Sequence, residues 1–471
     1  MVYMNSYKDQ NWLVPQSIID MIPKNHICFF VEEFVDSLNF SEFDMICEGP
    51  GHPSYHPRII MKIIIQGMLS KERSSRKLAG ACRENFVFMY LAEKVQPNFR
   101  TISRFRRNNK EFVREAFKET VKLADENGLV DLSLICTDGS KIKANSSKKM
   151  CIKREQVEQL DSIIDKMIEE DIKQDETDKE IFGEKEENIT DLDVKNLKEI
   201  VKTYRKSKNK IKLKKRCNEA KEECEKNPEM KRVSLSDPES RMMMDSKGNY
   251  GVFYNAQFTV DSKNQIILAN DVCQEREDTN QLRPQIENTK ENINLREDTK
   301  VAADCGYSNG ESIKFLEEEK LEGYIPNRTQ AQEITCRDGQ KTDDYEYDWE
   351  RDELIVKGVR MYYHNTYYDK RKKCKLHWYR SWEDFRIHRV VPEFFRERLR
   401  MRDKMKTEEA RKIYNLRKIV VEPVIGNIKE NIGIREFKLR GLDRVKIELN
   451  LASITHNLKK IWLAREESII Q

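Results

Sequence analysis

The chain has 471 residues, 36% of them charged and 38% hydrophobic, and its 86 Lys and Arg nearly balance 82 Asp and Glu to leave a net charge of +4. That length exceeds one ordinary domain, and so small a net charge names no partner by itself. The longest apolar stretch, residues 59–69, is broken by Lys62 and Gln66 and is too short to span a bilayer, so no membrane role is expected. Eleven cysteines without a Cys-x-x-Cys pair, and an N-terminus unlike a signal peptide, point to reduced thiols in a cytosol rather than a disulfide framework.

Residues 1–128 read as helices. The stretch Gly49-Pro50-Gly51-His52-Pro53-Ser54-Tyr55-His56-Pro57 cannot hold a helix, and the apolar pattern from Arg58 to Leu69 predicts a buried one after it. Ser74 or Ser75 can cap the next helix, which runs to about Asn85, and Phe86 to Leu91 adds bulk to a core. Pro97 then breaks the chain, and Thr101-Ile102-Ser103-Arg104-Phe105-Arg106-Arg107 opens a basic helix. A short helix, a break and a basic helix form the arrangement by which a helix-turn-helix enters a major groove, with Arg104, Arg106 and Arg107 as its cations. A small helical bundle with a charged outer face fits the same pattern.

A sheet begins at 129–150. Leu134 to Cys136 read as a buried strand, and Asp138-Gly139 follows where that strand would reach the edge of its sheet, although Asp-Gly is also a common turn. Residues 151–231 differ: Val157, Leu160, Ile163, Ile164 and Met167 mark one apolar helical face, an acidic stretch follows, and a second helix runs into the basic run 205–216. This predicts two long charged helices in an antiparallel hairpin, inserted into the sheet. Strands are expected at 250–260 and 265–272, a helix at 280–294, a strand at 299–305, a helix at 309–319 and a short strand at 322–326. That order makes a mixed α/β sheet, in which sites gather at strand ends. Residues 330–395 interleave aromatics with Lys and Arg, as in Trp378-Tyr379-Arg380-Ser381-Trp382, a composition that suits stacking on unpaired bases and equally suits a small β-rich subdomain. Cys374 and His377 have zinc-ligand spacing, but a second pair is missing and no zinc site is expected.

Three carboxylates, each at the tip of an element, can converge on metal ions: Asp138 after the first strand, Asp304 in Val301-Ala302-Ala303-Asp304-Cys305-Gly306-Tyr307, and Glu422 in Val421-Glu422-Pro423-Val424-Ile425-Gly426-Asn427-Ile428-Lys429. In these settings the acids resemble the catalytic triad of the DDE transposases of bacterial insertion sequences. The resemblance extends to Gly51-His52-Pro53-Ser54-Tyr55-His56-Pro57, Ser74-Ser75-Arg76-Lys77-Leu78, Thr101 to Arg106, Tyr254-Asn255-Ala256-Gln257, and Leu439-Arg440-Gly441-Leu442 through His456-Asn457-Leu458-Lys459, which are similar to the InsH-like group. It covers most of the chain apart from the charged hairpin and the 330–395 segment.

The resemblance implies an RNase H-like mixed-sheet catalytic core (129–150 and 232–329, closed by C-terminal helices at 396–471). A helical DNA-binding domain (1–128), the hairpin insertion (151–231) and a smaller insertion (330–395) complete it. It further implies a bacterial cytoplasmic, nucleoid-associated enzyme, a homodimer or higher on DNA, that binds terminal inverted repeats, cleaves the ends and joins them to target DNA. On the same resemblance, two Mg²⁺ ions, replaceable by Mn²⁺, would be held by Asp138, Asp304 and Glu422. Carboxylates suffice because Mg²⁺ takes hard oxygen ligands and keeps several waters. A lapsed, DNA-binding descendant and an RNase H-like nuclease are the alternatives. Related transposases space Tyr, Arg, Glu and Lys with two, three and six residues between, whereas Tyr414, Arg417, Glu422 and Lys429 leave four between Arg and Glu. Lys418 restores the spacing and stands four residues from both Tyr414 and Glu422, so it is favoured over Arg417 as the phosphate-facing cation, with Tyr414 and Lys429 beside it. Pro423 disfavours helical geometry at Glu422 unless a helix starts or kinks there.

Overall fold

The computed structural model describes residues 17–46, 54–177, 200, 207–245, 247–328, 330–331, 345–370 and 374–470. Much of the Gly-Pro stretch before Pro57 and the acidic run of the hairpin lie outside them. Among the described residues, a 3-10 turn (Ile18–Met21) and seven α-helices come first: α1 (Ile27–Ser37), α2 (Ser41–Ile46), α3 (Pro57–Leu69), α4 (Ser75–Glu84), α5 (Phe86–Leu91), α6 (Phe99–Asn108) and α7 (Lys110–Glu126). Pro57 opens α3 where its missing N–H costs nothing, and His56 caps it by accepting the Arg58 N–H at 3.1 Å. This helix is buried on nearly every side, Lys62 included, whose ammonium pairs with Asp36 at 2.9 Å and Glu32 at 3.3 Å.

The main sheet is formed by β1 (Leu134–Lys143), β4 (Arg241–Met244), β5 (Tyr250–Asp261), β6 (Ile267–Cys273), β7 (Lys300–Ala303) and β8 (Glu322–Tyr324), the pair β2 (Cys151–Lys153) and β3 (Arg232–Ser234) standing apart. β4 and β6 pair end to end along one side of β5, β1 lies on its other side, and β7 and β8 follow. β5 runs antiparallel to β1, while β7 and β8 run parallel to it, so the sheet is mixed. β1 is continuous from Leu134 to Lys143: the Asp138-Gly139 pair is no turn and lies in mid-strand, because every residue from Ile135 to Lys143 finds a partner on β5. Helix α10 (Leu282–Asn292) lies on one face of the sheet; α13 (Glu408–Gly426) and the long α14 (Leu442–Ile470) lie on the other. Alternation along β1 places Thr137 toward α10 and Asp138 toward α13, and covering on both faces explains why β5 is buried from Gly251 onward.

Two smaller bodies hang on this frame. α8 (Glu155–Thr177) and α9 (Ser207–Lys226) form an antiparallel hairpin whose own core includes Val157, Leu160, Leu213 and Cys217, with β2 and β3 paired at its base. Between β8 and α12 (Phe395–Lys404), which follows α11 (Gly310–Glu318), the strands β9 (Tyr345–Asp348), β10 (Glu353–Val356), β11 (Val359–Asp369), β12 (Cys374–Ser381) and β13 (His388–Pro392) form an antiparallel sheet packed through Met361, Tyr379 and Val391 on Phe395 and Leu399. No helix of the described residues is long and apolar enough to cross a membrane.

The N-terminal helices share one hydrophobic core with the sheet, α3 and α7 packing on α14. Asn457 of α14 ties the layers together: its amide exchanges hydrogen bonds with the Ile267 backbone at 2.9 Å and donates to Thr120 of α7 at 3.1 Å. A buried ionic cluster completes the join. Glu448, fully buried, pairs with Arg73 at 2.6 Å and Arg106 at 3.4 Å and accepts the backbone N–H groups of Lys438 and Leu439. Replacing one member of a buried pair strands a charge, so Glu448→Gln should cost about 3–5 kcal/mol in a denaturant titration and shift a single transition that includes the N-terminal helices. A separate, earlier transition of those helices would show that they fold alone.

Candidate active site

β1 carries Asp138 at the centre of the sheet, and β7 delivers Asp304 at its end, where the parallel pairing of Thr137 with Ala303 sets the two acids side by side. Helix α13 crosses above them. Its buried stripe is Ala410, Ile413, Tyr414, Arg417, Val420, Val421 and Val424, one helical face, so Arg417 points down at the acids. The guanidinium donates to Asp138 Oδ2 at 2.6 Å and lies 3.5 Å from Asp304 Oδ1, and the Tyr414 hydroxyl donates to Asp304 Oδ1 at 3.0 Å. Burial pushes the Asp138 carboxyl up to about 6 against the pull of Arg417, with the neighbouring Asp304 adding to the rise. Burial alone would lower the Arg417 value, but the two carboxylates more than offset it and hold the guanidinium firmly charged.

Past Pro423 the helix continues and ends in a π turn, Asn427–Asn431, closed by Gly433 in the left-handed region at φ 85°. Pro423 has no N–H for the carbonyl of Ile419, and the Gln265 side chain supplies the missing donor at 2.9 Å. The π turn sends Lys429 to the Ser140 hydroxyl of β1, and burial holds its ammonium below the usual lysine value.

On the opposite face of β1 sits an acid that the reading of the sequence missed. Asp278, in the loop before α10, accepts from Asn255 Nδ2 at 2.6 Å, Gln257 Nε2 at 2.7 Å and Lys141 Nζ at 3.4 Å. Gly139 makes room for this cluster, since a Cβ there would stand 2.5 Å from Gln257 Nε2 and 2.7 Å from Asp278 Oδ1. Two amides at alternate positions of a buried strand are the signal that could have found it, because each needs a polar partner.

Glu422 is not with the other two acids. At 100° per residue, the five steps from Arg417 turn it about 140° away, and it lies exposed on the far side of α13. Lys418 is exposed for the same reason: each step of four overshoots a full turn by about 40°, so the spacing from Tyr414 that favours it leads off the buried stripe. Arg417, not Lys418, meets the acids, and Tyr414 is a buried partner of Asp304 rather than a surface ligand.

A family model described as Transposase DDE domain matches residues 369–462, and one described as Transposase domain (DUF772) matches residues 16–108. The chain belongs to the DDE transposases of insertion sequences. No curated protein matches it. The first match contains Arg417, Glu422 and Lys429 of the transposase but neither Asp138 nor Asp304. Within the second, Arg106 cannot be the DNA contact expected of it: it is 3% exposed and spent on Glu448, because its position on α6 faces α14. Arg104 and Arg107 of the same helix are exposed.

Members of this family use divalent metals. Asp138 and Asp304 fit such an ion in donor type and in charge, for they already converge on one cation whose Nε is buried without a partner. No three acids, histidines or cysteines converge among the described residues, so Glu422 does not complete the set. Arg417→Ala should cost about 3 kcal/mol, the low end for a broken buried pair because the Asp304 side chain is 41% exposed. Millimolar Mg²⁺ should raise the melting temperature of that variant more than that of the parent, the ion taking the place of the guanidinium. Equal shifts in the two proteins would show that Arg417 does not hold the ion's place.

Proposed function

We propose that this transposase binds the terminal inverted repeats of its element, cleaves phosphodiester bonds at the ends and joins them to target DNA, on a catalytic core of RNase H-like type. The observation that carries the reading is the pairing of Asp138 and Asp304 on adjacent parallel strands around a single cation. The strand sequence β6-β5-β1-β7-β8, with β5 alone antiparallel to both its neighbours and the rest parallel to β1, supports the fold assignment.

Two Mg²⁺ or Mn²⁺ ions held by Asp138, Asp304 and Glu422 would polarise the phosphate and activate water, and then a DNA 3′-hydroxyl, in turn. The chain's own groups do the remaining work. Lys429, held at Ser140, offers a cation to the phosphate two residues along β1 from Asp138. Tyr414 orients Asp304, and the exposed Arg104 and Arg107 contact the DNA backbone. The active form is a homodimer or higher on DNA.

Glu422 joins the acids by a one-residue change of register in α13. The helix carries one residue more than is needed to put Arg417 and Glu422 on one face, and the wide turn that absorbs it now lies at 427–431. With the wide turn between Arg417 and Glu422 instead, Glu422 takes the place of Val421 on the buried stripe. Pro423 favours that shift, since the Ile419 carbonyl has no helical donor to lose. Pro423→Ala restores the donor, and the expected outcome is a higher melting temperature with slower cleavage at unchanged DNA affinity. Cleavage as fast as the parent's in a stabilised variant would refute the shift.

Cleavage of a labelled terminal-repeat duplex, with a binding assay alongside, tests the function. Asp138→Asn, Asp304→Asn and Glu422→Gln should each lower cleavage by several orders of magnitude while binding persists, and double variants should be no worse than singles. Cleavage should also fall as the pH drops through about 6, where Asp138 takes up a proton that competes with the ion. The lapsed-enzyme reading draws on the outward position of Glu422, and binding without cleavage in the parent protein would establish it.

A further inference from the structure

Beside the acids, a groove of about 1010 Å³ opens between the outer half of β1, the β4–β5 hairpin and the turn that follows the π turn. Lys141, Lys143, Lys148, Lys247, Arg435 and Arg440 line it, with Lys429 at its inner end. Against these seven cations stand three carboxylates, Asp245, Glu430 and Glu436. The excess of four equals the net charge of the whole chain, so this one depression concentrates a charge that the rest of the molecule balances out. Glu430 and Glu436 are taken up by Arg435 and Lys143, and Asp245 by the backbone N–H groups of Lys247 and Asn249 in its own turn.

The groove adjoins the candidate active site at Lys429. Its inner wall is Lys429 on Ser140, two residues from Asp138 along the same strand. Its outer rim carries Tyr250, whose ring is 59% exposed and has no hydrogen-bond partner among the described residues. Cations in a row from a catalytic acid to an exposed ring match the two faces of a nucleic acid strand, phosphates along the Lys and Arg and a base against the ring.

We propose that this groove seats the DNA strand adjoining the scissile phosphate, its backbone running outward from Lys429 past Lys143 toward Lys148 and Lys247, with an unpaired base stacked on Tyr250. The proposal rests on the transposase reading above and adds a grip on the strand that is separate from the N-terminal helices. Phosphates there meet cations already oriented by Glu430, Glu436 and Asn145, so little side-chain freedom is lost on binding.

Fluorescence polarisation of the full chain, with a labelled terminal-repeat duplex and with one of its strands alone, tests this over a salt series. The triple variant Lys143→Ala, Lys148→Ala, Lys247→Ala should bind both probes more weakly, with a salt slope reduced by about 0.9 for each lysine that meets a duplex phosphate. Tyr250→Ala should lose roughly 5- to 100-fold in affinity for the single strand and much less for the duplex. If the parent binds and the triple variant keeps its slope while Arg104→Ala, Arg107→Ala alone lowers it, the groove is not the seat and the transposase reading stands. If the parent binds neither probe, the reading on which the groove rests falls as well.

Discussion

The arrangement of the whole site follows from one guanidinium. Asp138 is fixed in mid-strand, where little water reaches it and an unpaired carboxylate is expensive, and Asp304 stands at a strand end, partly open to solvent. Arg417 makes that burial tolerable by standing within 2.6 Å of one and 3.5 Å of the other. It thereby sets the rotation of α13 about its axis, because the helix can present only one face to the sheet. Everything else about the helix is a consequence: Val420, Val421 and Val424 pack beneath it, Tyr414 reaches Asp304, and Glu422 faces out.

That rotation meets a conflict in the chain's own spacing. Arg417 and Glu422 are five residues apart, a distance at which no regular α-helix can aim both at one point. The helix is irregular nearby: Pro423 leaves the Ile419 carbonyl without a helical donor, a glutamine from the β5–β6 turn satisfies it, and a π turn follows at the end. Gln265 itself sits in the left-handed region at φ 59°, and its carbonyl accepts from His456, which burial drives down to about 4 and keeps neutral. The loop, the helix and α14 are thus locked at one corner. Irregular helical turns of this kind recur at functional sites, where a fixed register would be a liability.

Near the C-terminal end of β1, a second buried charge decides how the N-terminal helices sit. Arg73 comes from the loop between α3 and α4, Arg106 from α6 and Glu448 from the C-terminal helix; the carboxylate is 0% exposed, so the cluster is all or nothing. Arg73 also binds the carbonyl of Glu436, in the turn that leads away from Lys429. The helices at the front of the chain therefore touch the segment that places a site residue, and the groove beside the acids is walled partly by that same turn.

Apolar periodicity and turn residues determined most elements: α3, α4, α10 and α11 and the strands β5 to β8 lie within a few residues of where the sequence alone places them, since amphipathic spacing is a local property. The two aspartates were legible for a similar reason, each standing beside an apolar run. What the sequence could not decide was rotation and partnership. Asp-Gly reads as a turn until β5 is there to pair with it, and Arg106 reads as a DNA contact until α14 brings Glu448 beneath it. Lys418 and Glu422 share a spacing with Tyr414 but not a face, because the buried stripe of α13 is chosen by the carboxylates it covers. Asp278 carried no signal of its own: its role is created by Asn255, Gln257 and Lys141, which only the folded sheet brings to one carboxylate oxygen. Local pattern sets which segments are helix or strand; contacts between residues hundreds of positions apart set which charge faces which, and those contacts exist only in the tertiary structure.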